Sequence, residues 1–260
     1  MKKILNKKEF RAAMRRTLNN NLTVGHPIFR YLLDERSPNE ALLKYTALQG
    51  YQLTKHFLSY IENLFFYCPL DKHKTSLLHN MYEEETGKLS KTKNHVKLME
   101  DFIRAIGITD KERDSAKALP NTQKLIDYRM QACTNPALYH IGAAAVMIAS
   151  EGQNLESIGE DARHNILGKV YKLSEQDLLF FSVHQIEDVG HVKQGLSLVV
   201  DLCETAEQQQ QAIEAIDITC QLFYQMYQGI YEELGLDASS NNNISAAIKA
   251  LDVSKERGVV

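Results

Sequence analysis

Apolar residues recur at helical spacing along almost all of this 260-residue chain, and no segment shows the alternation typical of a β-strand. Only five prolines and thirteen glycines interrupt the pattern. Some interruptions are typical helix starts, such as Ser37-Pro38-Asn39-Glu40, which places a serine cap, a proline and a glutamate in the preferred order. The sequence therefore predicts an all-α protein, a single bundle of about seven to eight helices.

Glycine and proline signals also predict the main boundaries. One long helix is expected from Ser37 to about Tyr67, and a second from Asp71 to Glu85. Another begins at His95, and a capping-box pattern from Ser174 to Asp177 is expected to open the helix that contains His184. Thr205 caps the last long helix, which ends near Gly235. Residues 1–236 are predicted to form one helical domain, and residues 237–260 a polar linker with a short peripheral C-terminal helix.

Composition is that of an ordinary globular protein, with 44% hydrophobic and 24% charged residues. A net charge of −3 without a basic stripe argues against nucleic acid as a partner. There is no run long enough to cross a bilayer and no apolar core of a secretory signal, so we expect a cytoplasmic protein without a membrane partner. The expected partner is a small-molecule substrate, and the chain could form a homodimer.

The segment that contains His184, Asp188 and His191 gives the first indication of a functional site. These residues lie at i, i+4 and i+7, so on a helix they share one face. Two imidazoles and a carboxylate form a mixed nitrogen and oxygen ligand set that suits iron or manganese. The alternative is that three surface residues share a face by accident, but all three together favour a ligand set.

Further ligands would have to come from other helices, because one helix cannot hold a metal pair. The candidates are Glu84, or its neighbours Glu83 and Glu85, together with His95 and Glu151. On an unbroken helix Glu84 and His95 would lie about 16 Å apart, so the chain would have to bend near Gly87. The alternatives are that the acidic triplet is a solvated helix end and that Glu151 marks where an apolar helix reaches water.

A second carboxylate and histidine pair, Asp161 and His164, has the i, i+3 spacing of ferritin-like metal helices. It lies in a charged stretch, and we interpret it as a surface turn.

Together, the Glu-Glu-Thr-Gly at 84–87, Asn94-His95, Glu151-Gly152 and the His-x3-Asp-x2-His motif resemble the haem-oxygenase-like di-iron proteins. This group includes the TenA and PqqC folds, and the pattern is similar to that of the chlamydial protein associating with death domains (CADD) and its relatives. The resemblance extends over roughly residues 22–234. It implies a haem-oxygenase-like bundle with six metal ligands, namely Glu84, His95, Glu151, His184, Asp188 and His191.

The resemblance further implies an O₂-dependent enzyme with two iron ions, or manganese or a mixed pair, that oxidises a small organic substrate. Such a reaction would belong to para-aminobenzoate and folate-type cofactor metabolism or to fatty-acid or amino-acid metabolism. Tyr51 and Lys55 resemble part of the pocket-lining second helix of the family and are candidate catalytic groups. In the chlamydial-type proteins a pocket tyrosine is consumed. The matching position here is Phe29, and Tyr31, two residues on, is the third candidate catalytic residue. The accompanying lysine has no clear match, since Asp161 stands near its place.

Three other functions remain open at this stage. A cofactor-free oxidase of the PqqC type would not need the carboxylates. A TenA-like aminopyrimidine hydrolase would need a cysteine nucleophile, for which Cys133 and Cys220 are candidates. The third is a non-catalytic helical protein that binds a partner.

Overall fold

The structure of the protein is a computed structural model that describes residues 3–153, 155 and 162–236. These residues form helices and connecting turns without a β-strand, which confirms the all-α prediction. The α-helices of the described residues are α1 Lys7–Asn20, α2 Ile28–Leu32, α3 Glu40–Thr54, α4 Phe57–Phe66, α5 Asp71–Thr86, α6 His95–Ala105, α7 Asp110–Ser115, α8 Pro120–Thr134, α9 Tyr139–Ala143, α10 Arg163–Tyr171, α11 Leu179–Leu202 and α12 Ala206–Glu233. A π-helix, Ala144–Ser150, continues α9.

The predicted number of helices was too low. Within the described ranges there are nine α-helices of nine or more residues, and α2, α7 and α9 are short additions. The long helix predicted from Ser37 to Tyr67 is in fact two helices, α3 and α4, separated at Lys55 and His56. No proline or glycine marks this break, and the backbone there turns tightly, with the His56 amide donating to the Leu53 carbonyl at 3.2 Å. The break was therefore not visible in the sequence.

The start of α11 also differs from the prediction. Ser174 and Asp177 exchange the hydrogen bonds of a capping box, with the Ser174 amide donating to Asp177 Oδ2 at 2.8 Å. The helix itself, however, begins only at Leu179, after an intervening turn. The capping pattern was identified correctly, but it stabilises the turn that leads into the helix.

The long helices α11 and α12 pack on the π-helix, and α12 also packs on α8 and α1. All seven residues of the π-helix are buried. A β-carbon at Gly195 of α11 would lie only 2.6 Å from Met147 Cβ, so the backbones of α11 and the π-helix approach closely. This contact places Glu151, the first residue after the π-helix, beside the middle of α11.

Two apolar clusters make up most of the interior. The first surrounds the π-helix and the C-terminal half of α11, and the second lies between α2, α3, α6, the start of α11 and the end of α12. Such interiors are formed when helices bury their apolar stripes against one another.

Two predictions lie outside the described residues: the linker and helix at 237–260, and Asp161 of the Asp161 and His164 pair. Among the helices that the structure describes, none is long and apolar enough to cross a membrane.

Candidate metal centre

The six predicted ligands converge into two groups of three. In one group, ligand atoms of Glu84, His95 and His184 all lie within 4.8 Å of one another. In the other, the same holds for Glu151, Asp188 and His191. Helix α11 thus contributes to both groups. The rise of about 1.5 Å per residue explains this division, since positions i and i+7 on one face are about 10.5 Å apart along the axis.

The chain bends between α5 and α6 so that Glu84 and His95 can meet. Gly87 ends α5 with a positive φ of 60°, where a β-carbon would lie 2.3 Å from the Lys93 carbonyl oxygen. Only glycine fits this position without strain. Asn94 then caps α6 by accepting from the Lys97 amide at 3.1 Å. As a result, His95 Nδ1 lies 3.1 Å from Glu84 Oε2.

The three consecutive glutamates have different environments. Glu83 is buried and accepts hydrogen bonds from the Leu89 amide at 2.7 Å, the Ser90 amide at 3.2 Å and the Ser90 hydroxyl. Burial alone would raise the pKa of Glu83, but these donors hold it below its usual value. Glu85 is exposed and accepts from Asn94.

Glu84 differs from both neighbours, because its Oε1 atom is buried and has no hydrogen-bond partner. Both nitrogens of His95 are buried without a hydrogen bond of good geometry as well. Its Nε2 faces Glu83 Oε1 at 3.5 Å, and Nδ1 faces Glu84. Buried polar atoms without partners are costly in a native protein, and a cation bound between Glu84 and His95 would satisfy the Glu84 carboxylate and the His95 Nδ1 atom that faces it.

His184 completes the first group. Its Nδ1 lies 2.6 Å from the Phe180 carbonyl oxygen, which assigns the proton to Nδ1 and leaves the Nε2 lone pair available. The His95 and His184 rings meet edge to face with their centroids 4.6 Å apart. Glu187 lies one turn further along α11, and its carboxylate forms another possible metal-binding group with Glu83 and His95.

The second group is buried more deeply. Asp188 is 0% exposed and Glu151 3% exposed. His191 Nδ1 lies 3.4 Å from Glu151 Oε2 and 3.6 Å from Asp188 Oδ1. Asn80 supports this arrangement by donating to Glu151 Oε1 at 3.4 Å.

The pKa values of these groups reflect a buried excess of carboxylates. Burial, and next the negative charge of Glu151, raise the pKa of Asp188 to about 7. Burial would lower the pKa of His191, but Glu151 and Asp188 raise it to about 11. Burial would likewise lower the pKa of His95, but its glutamate neighbours raise it to about 9. Carboxylates and imidazoles without lysine or arginine partners are the donors expected to hold iron or manganese, so these residues fit a metal pair.

A cavity of about 230 Å³ adjoins the two groups, and Glu84, Glu151 and His184 line it. Most of the remaining lining is apolar or aromatic, including Met99, Phe102, Leu167, Phe181, Phe223 and Met226. The cavity is therefore a largely apolar chamber with carboxylate and imidazole groups at one side.

The three predicted catalytic residues lie outside the lining of this cavity. Tyr51 donates from its hydroxyl to Glu100 at 3.3 Å, and Lys55 donates to Gln52 Oε1 at 2.5 Å. Tyr31 is 42% exposed. Phe29 does line the cavity. The catalytic roles of Tyr31, Tyr51 and Lys55 remain predictions, and a substrate in this cavity would not reach them without a rearrangement.

Sequence reasoning missed the polar residue Arg129 of α8, which also lines the cavity. Leu125, Arg129 and Cys133 are spaced four residues apart, so the sequence does place the arginine on the apolar face of its helix. This spacing was a signal that could have identified it.

The cysteines are not activated. Cys133 and Cys220 are 0% and 1% exposed, and neither is part of the cavity lining. Burial raises the pKa of each thiol to about 12. Because the thiolate is the nucleophilic form, these environments argue against the cysteine-dependent hydrolase.

Comparison with known proteins gives a consistent result. Residues 44–224 match the model of a family described as "iron-containing redox enzyme". A 4-aminobenzoate synthase of Nitrosomonas europaea is 29% identical over 160 residues, which are 61% of this chain and 62% of that protein. The match therefore spans less than two thirds of the relative.

Solved structures agree on the fold. A haem-oxygenase-like domain from Shewanella denitrificans superposes with a TM-score of 0.68 at 19% identity, covering 93% of this chain and 98% of the other. A CADD-like protein of Nostoc punctiforme gives a TM-score of 0.65 at 17% identity, with 87% and 98% coverage. At these identities the likeness establishes the architecture, and it agrees with the predicted haem-oxygenase-like bundle.

Proposed function

This chain belongs to the family of haem-oxygenase-like, iron-containing redox enzymes, and we propose that it is a dinuclear iron oxidase or oxygenase that uses O₂ to oxidise a small organic substrate. The observation that carries the proposal is the convergence of Glu84, His95 and His184 and of Glu151, Asp188 and His191 into two adjoining ligand groups. Each group would hold one ion. Manganese, alone or paired with iron, suits the same donors.

The protein residues would set the ligand geometry through hydrogen bonds. The Phe180 carbonyl holds the Nδ1 proton of His184, so Nε2 is the nitrogen that would bind metal. At His95 we assign the metal to Nδ1, which faces Glu84, and the proton to Nε2, which faces Glu83. Glu83 then acts as the partner that orients His95, and Glu84 is the ligand. Asn80 orients Glu151 in the same way.

When bound, the two metal ions would supply the electrons that reduce O₂. The apolar lining of the cavity would keep water away from the reacting groups and hold the substrate beside Glu84, Glu151 and His184.

The substrate is proposed to be external to the protein. The relatives named 4-aminobenzoate synthase suggest cofactor metabolism, and the family resemblance includes a reaction that consumes a pocket tyrosine. Here Phe29 occupies the cavity wall and Tyr31 lies outside the lining. A phenylalanine ring cannot replace the phenol in that reaction. Tyr227 also lines the cavity, but it does not stand at the position that matches the consumed tyrosine, so a small aromatic or aliphatic molecule is the better candidate. A cytoplasmic location and a homodimer remain predictions.

The test begins with expression in iron-supplemented medium and anaerobic purification. We expect close to two iron ions per chain, measured by plasma mass spectrometry, and O₂ consumption by the ferrous protein. The variant His184→Ala with Asp188→Ala removes one ligand from each group and should lose most of the metal and the O₂ consumption.

The matched control is His73→Ala with Asp201→Ala, a histidine and aspartate pair 3.1 Å apart that lies outside both ligand groups. This control should keep its iron. Unchanged metal content in the His184 and Asp188 variant would contradict the proposed centre.

A further inference from the structure

Arg129 is a buried cation that the proposed centre leaves unused. Its side chain is 1% exposed and lies between the rings of Tyr60 and Phe223, whose centroids are 4.7 and 5.5 Å from the guanidinium carbon. Nε donates to the Leu125 carbonyl at 3.3 Å, and Nη1 donates to Ser150 Oγ at 3.3 Å. Nη2 is buried and has no hydrogen-bond partner.

No carboxylate of the described residues lies within 4.0 Å of the Arg129 nitrogens. The other well-buried arginine, Arg113, is surrounded by Asp110, Asp114 and Glu100. Arginine remains protonated at any ordinary pH, and a buried charge without a counter-ion is unfavourable. The described part of the fold therefore provides no anion that balances the charge of Arg129.

The position of Arg129 indicates where that anion comes from. Arg129 lines the same cavity as Glu84, Glu151 and His184, and its partner Ser150 directly precedes the ligand Glu151. Among the other lining residues most are apolar. A molecule that fills this chamber would have its apolar body against these side chains and a negative group at the guanidinium.

We infer that Arg129 binds the carboxylate of a small organic substrate whose apolar body occupies the cavity, so that the substrate extends toward the two ligand groups. This inference rests on the proposed function and specifies its substrate class. A planar guanidinium matches a carboxylate with two parallel hydrogen bonds. The volume of about 230 Å³ suits a molecule of the size of benzoate or hexanoate.

A carboxylate is favoured over a phosphate for a reason of charge. A phosphate group usually meets several donors, whereas Arg129 offers one buried unpartnered nitrogen. The other arginine of the lining, Arg163, already donates to the Gln153 carbonyl at 3.2 Å and packs on the Phe29 ring. A single carboxylate balances a single arginine.

The experiment is a calorimetric titration of the ferrous protein under anaerobic conditions. The probes are benzoate and hexanoate, with benzamide and hexanamide as neutral analogues of the same shape. The same titrations are repeated on the chelated, metal-free protein, so that binding to Arg129 is separated from binding to metal.

The variant Arg129→Met removes the charge and keeps the length of the side chain. It is expected to fold, since replacing an unpaired buried charge by an apolar group is commonly tolerated, and thermal melting checks this. Arg104→Met, a half-exposed arginine outside the cavity lining, is the control.

Carboxylates should bind the wild type and Arg104→Met with equal affinity and bind Arg129→Met about tenfold or more weakly, as expected for loss of a charge-assisted hydrogen bond. The neutral amides should not distinguish the three proteins. Equal carboxylate affinity in Arg129→Met and wild type, or no carboxylate binding by the wild type at millimolar concentration, would overturn the inference.

These outcomes are independent of the metal test. Loss of the proposed function would appear as absence of bound iron, while carboxylate binding to the metal-free protein would still report on Arg129.

Discussion

Asp188 and Asp201 lie on the same helix, α11, and their carboxyl groups have opposite electrostatic environments. Asp201 accepts from Lys7 at 2.7 Å, lies 2.8 Å from Lys72 Nζ and 3.1 Å from His73 Nε2. The ammonium groups of Lys7 and Lys72 hold the pKa of Asp201 far below its usual value. Asp188 instead faces Glu151 and His191, and burial raises its pKa to about 7.

The difference shows how a ligand can be recognised among many acidic residues. Where the chain supplies lysine side chains, as at Asp201, the charge of a carboxylate is balanced without a bound metal ion. Where buried carboxylates face one another and imidazoles, as at Asp188, the balancing charge must come from protons or from a bound cation. The same contrast separates Arg113, with its acidic neighbours, from Arg129.

The largest effect is expected within the acidic triplet, where the two kinds of environment are adjacent in the sequence. Glu84→Gln should lose about one of the two metal ions, because the buried Oε1 atom is the one without a partner. Glu83→Gln should keep both ions and weaken binding by about 10- to 100-fold, since the proposed role of Glu83 is to orient His95. Competition with a chromogenic chelator measures both variants.

If Glu83→Gln lost its metal completely while Glu84→Gln kept both ions, the assignment of ligand and orienting residue would have to be reversed.

A second prediction concerns Gly195, which lies between the two aspartates on α11. Gly195→Ala would bring a β-carbon 2.6 Å from Met147 Cβ and 2.8 Å from its carbonyl oxygen. Because the π-helix is fully buried, overpacking here should lower the free energy of unfolding by about 1–3 kcal/mol and weaken metal binding. Urea denaturation of the metal-free protein and a metal titration measure the two effects.

Gly190→Ala is the matched control, because a β-carbon at that position of the same helix would meet no atom within 4 Å apart from its chain neighbours and the backbone of its own helix turns. It should be neutral or stabilising, by up to about 1 kcal/mol. Equal losses of stability in both variants would contradict close packing of α11 on the π-helix.

The smallest effect is expected at Asp201 and depends on pH. The folded-state pKa of Asp201 is lowered, so its contribution is complete above the unfolded-state pKa of about 3.9 and is lost as the pH falls toward the lower folded-state value. Asp201→Asn should therefore cost about 1 kcal/mol near pH 7, a modest value because Lys7 and Lys72 are largely exposed.

Urea denaturation of wild type and Asp201→Asn across the acidic range tests this. The two proteins should converge in stability at the lowest pH, and a difference that grows as the pH falls would have the wrong sign.

The sequence by itself determined the all-α class, most helix boundaries and the chemical types of the candidate ligands. These properties follow from local periodicity, capping residues and spacing along one helix, as at His184, Asp188 and His191. The sequence also offered Glu84, His95 and Glu151 as candidates, but only the resemblance to haem-oxygenase-like proteins joined them to these residues in one ligand set, because no local pattern connects them.

Only the tertiary structure decided which residues meet. It separated His184 from Asp188 and His191, distinguished Glu84 from Glu83 and Glu85, and broke the predicted long helix at Lys55 and His56, where no breaker residue stands. It also isolated Arg129 in the cavity wall. The physical reason is that the partners, burial and charge balance of a residue depend on side chains brought together from distant helices. The local sequence does not determine the distances between these side chains.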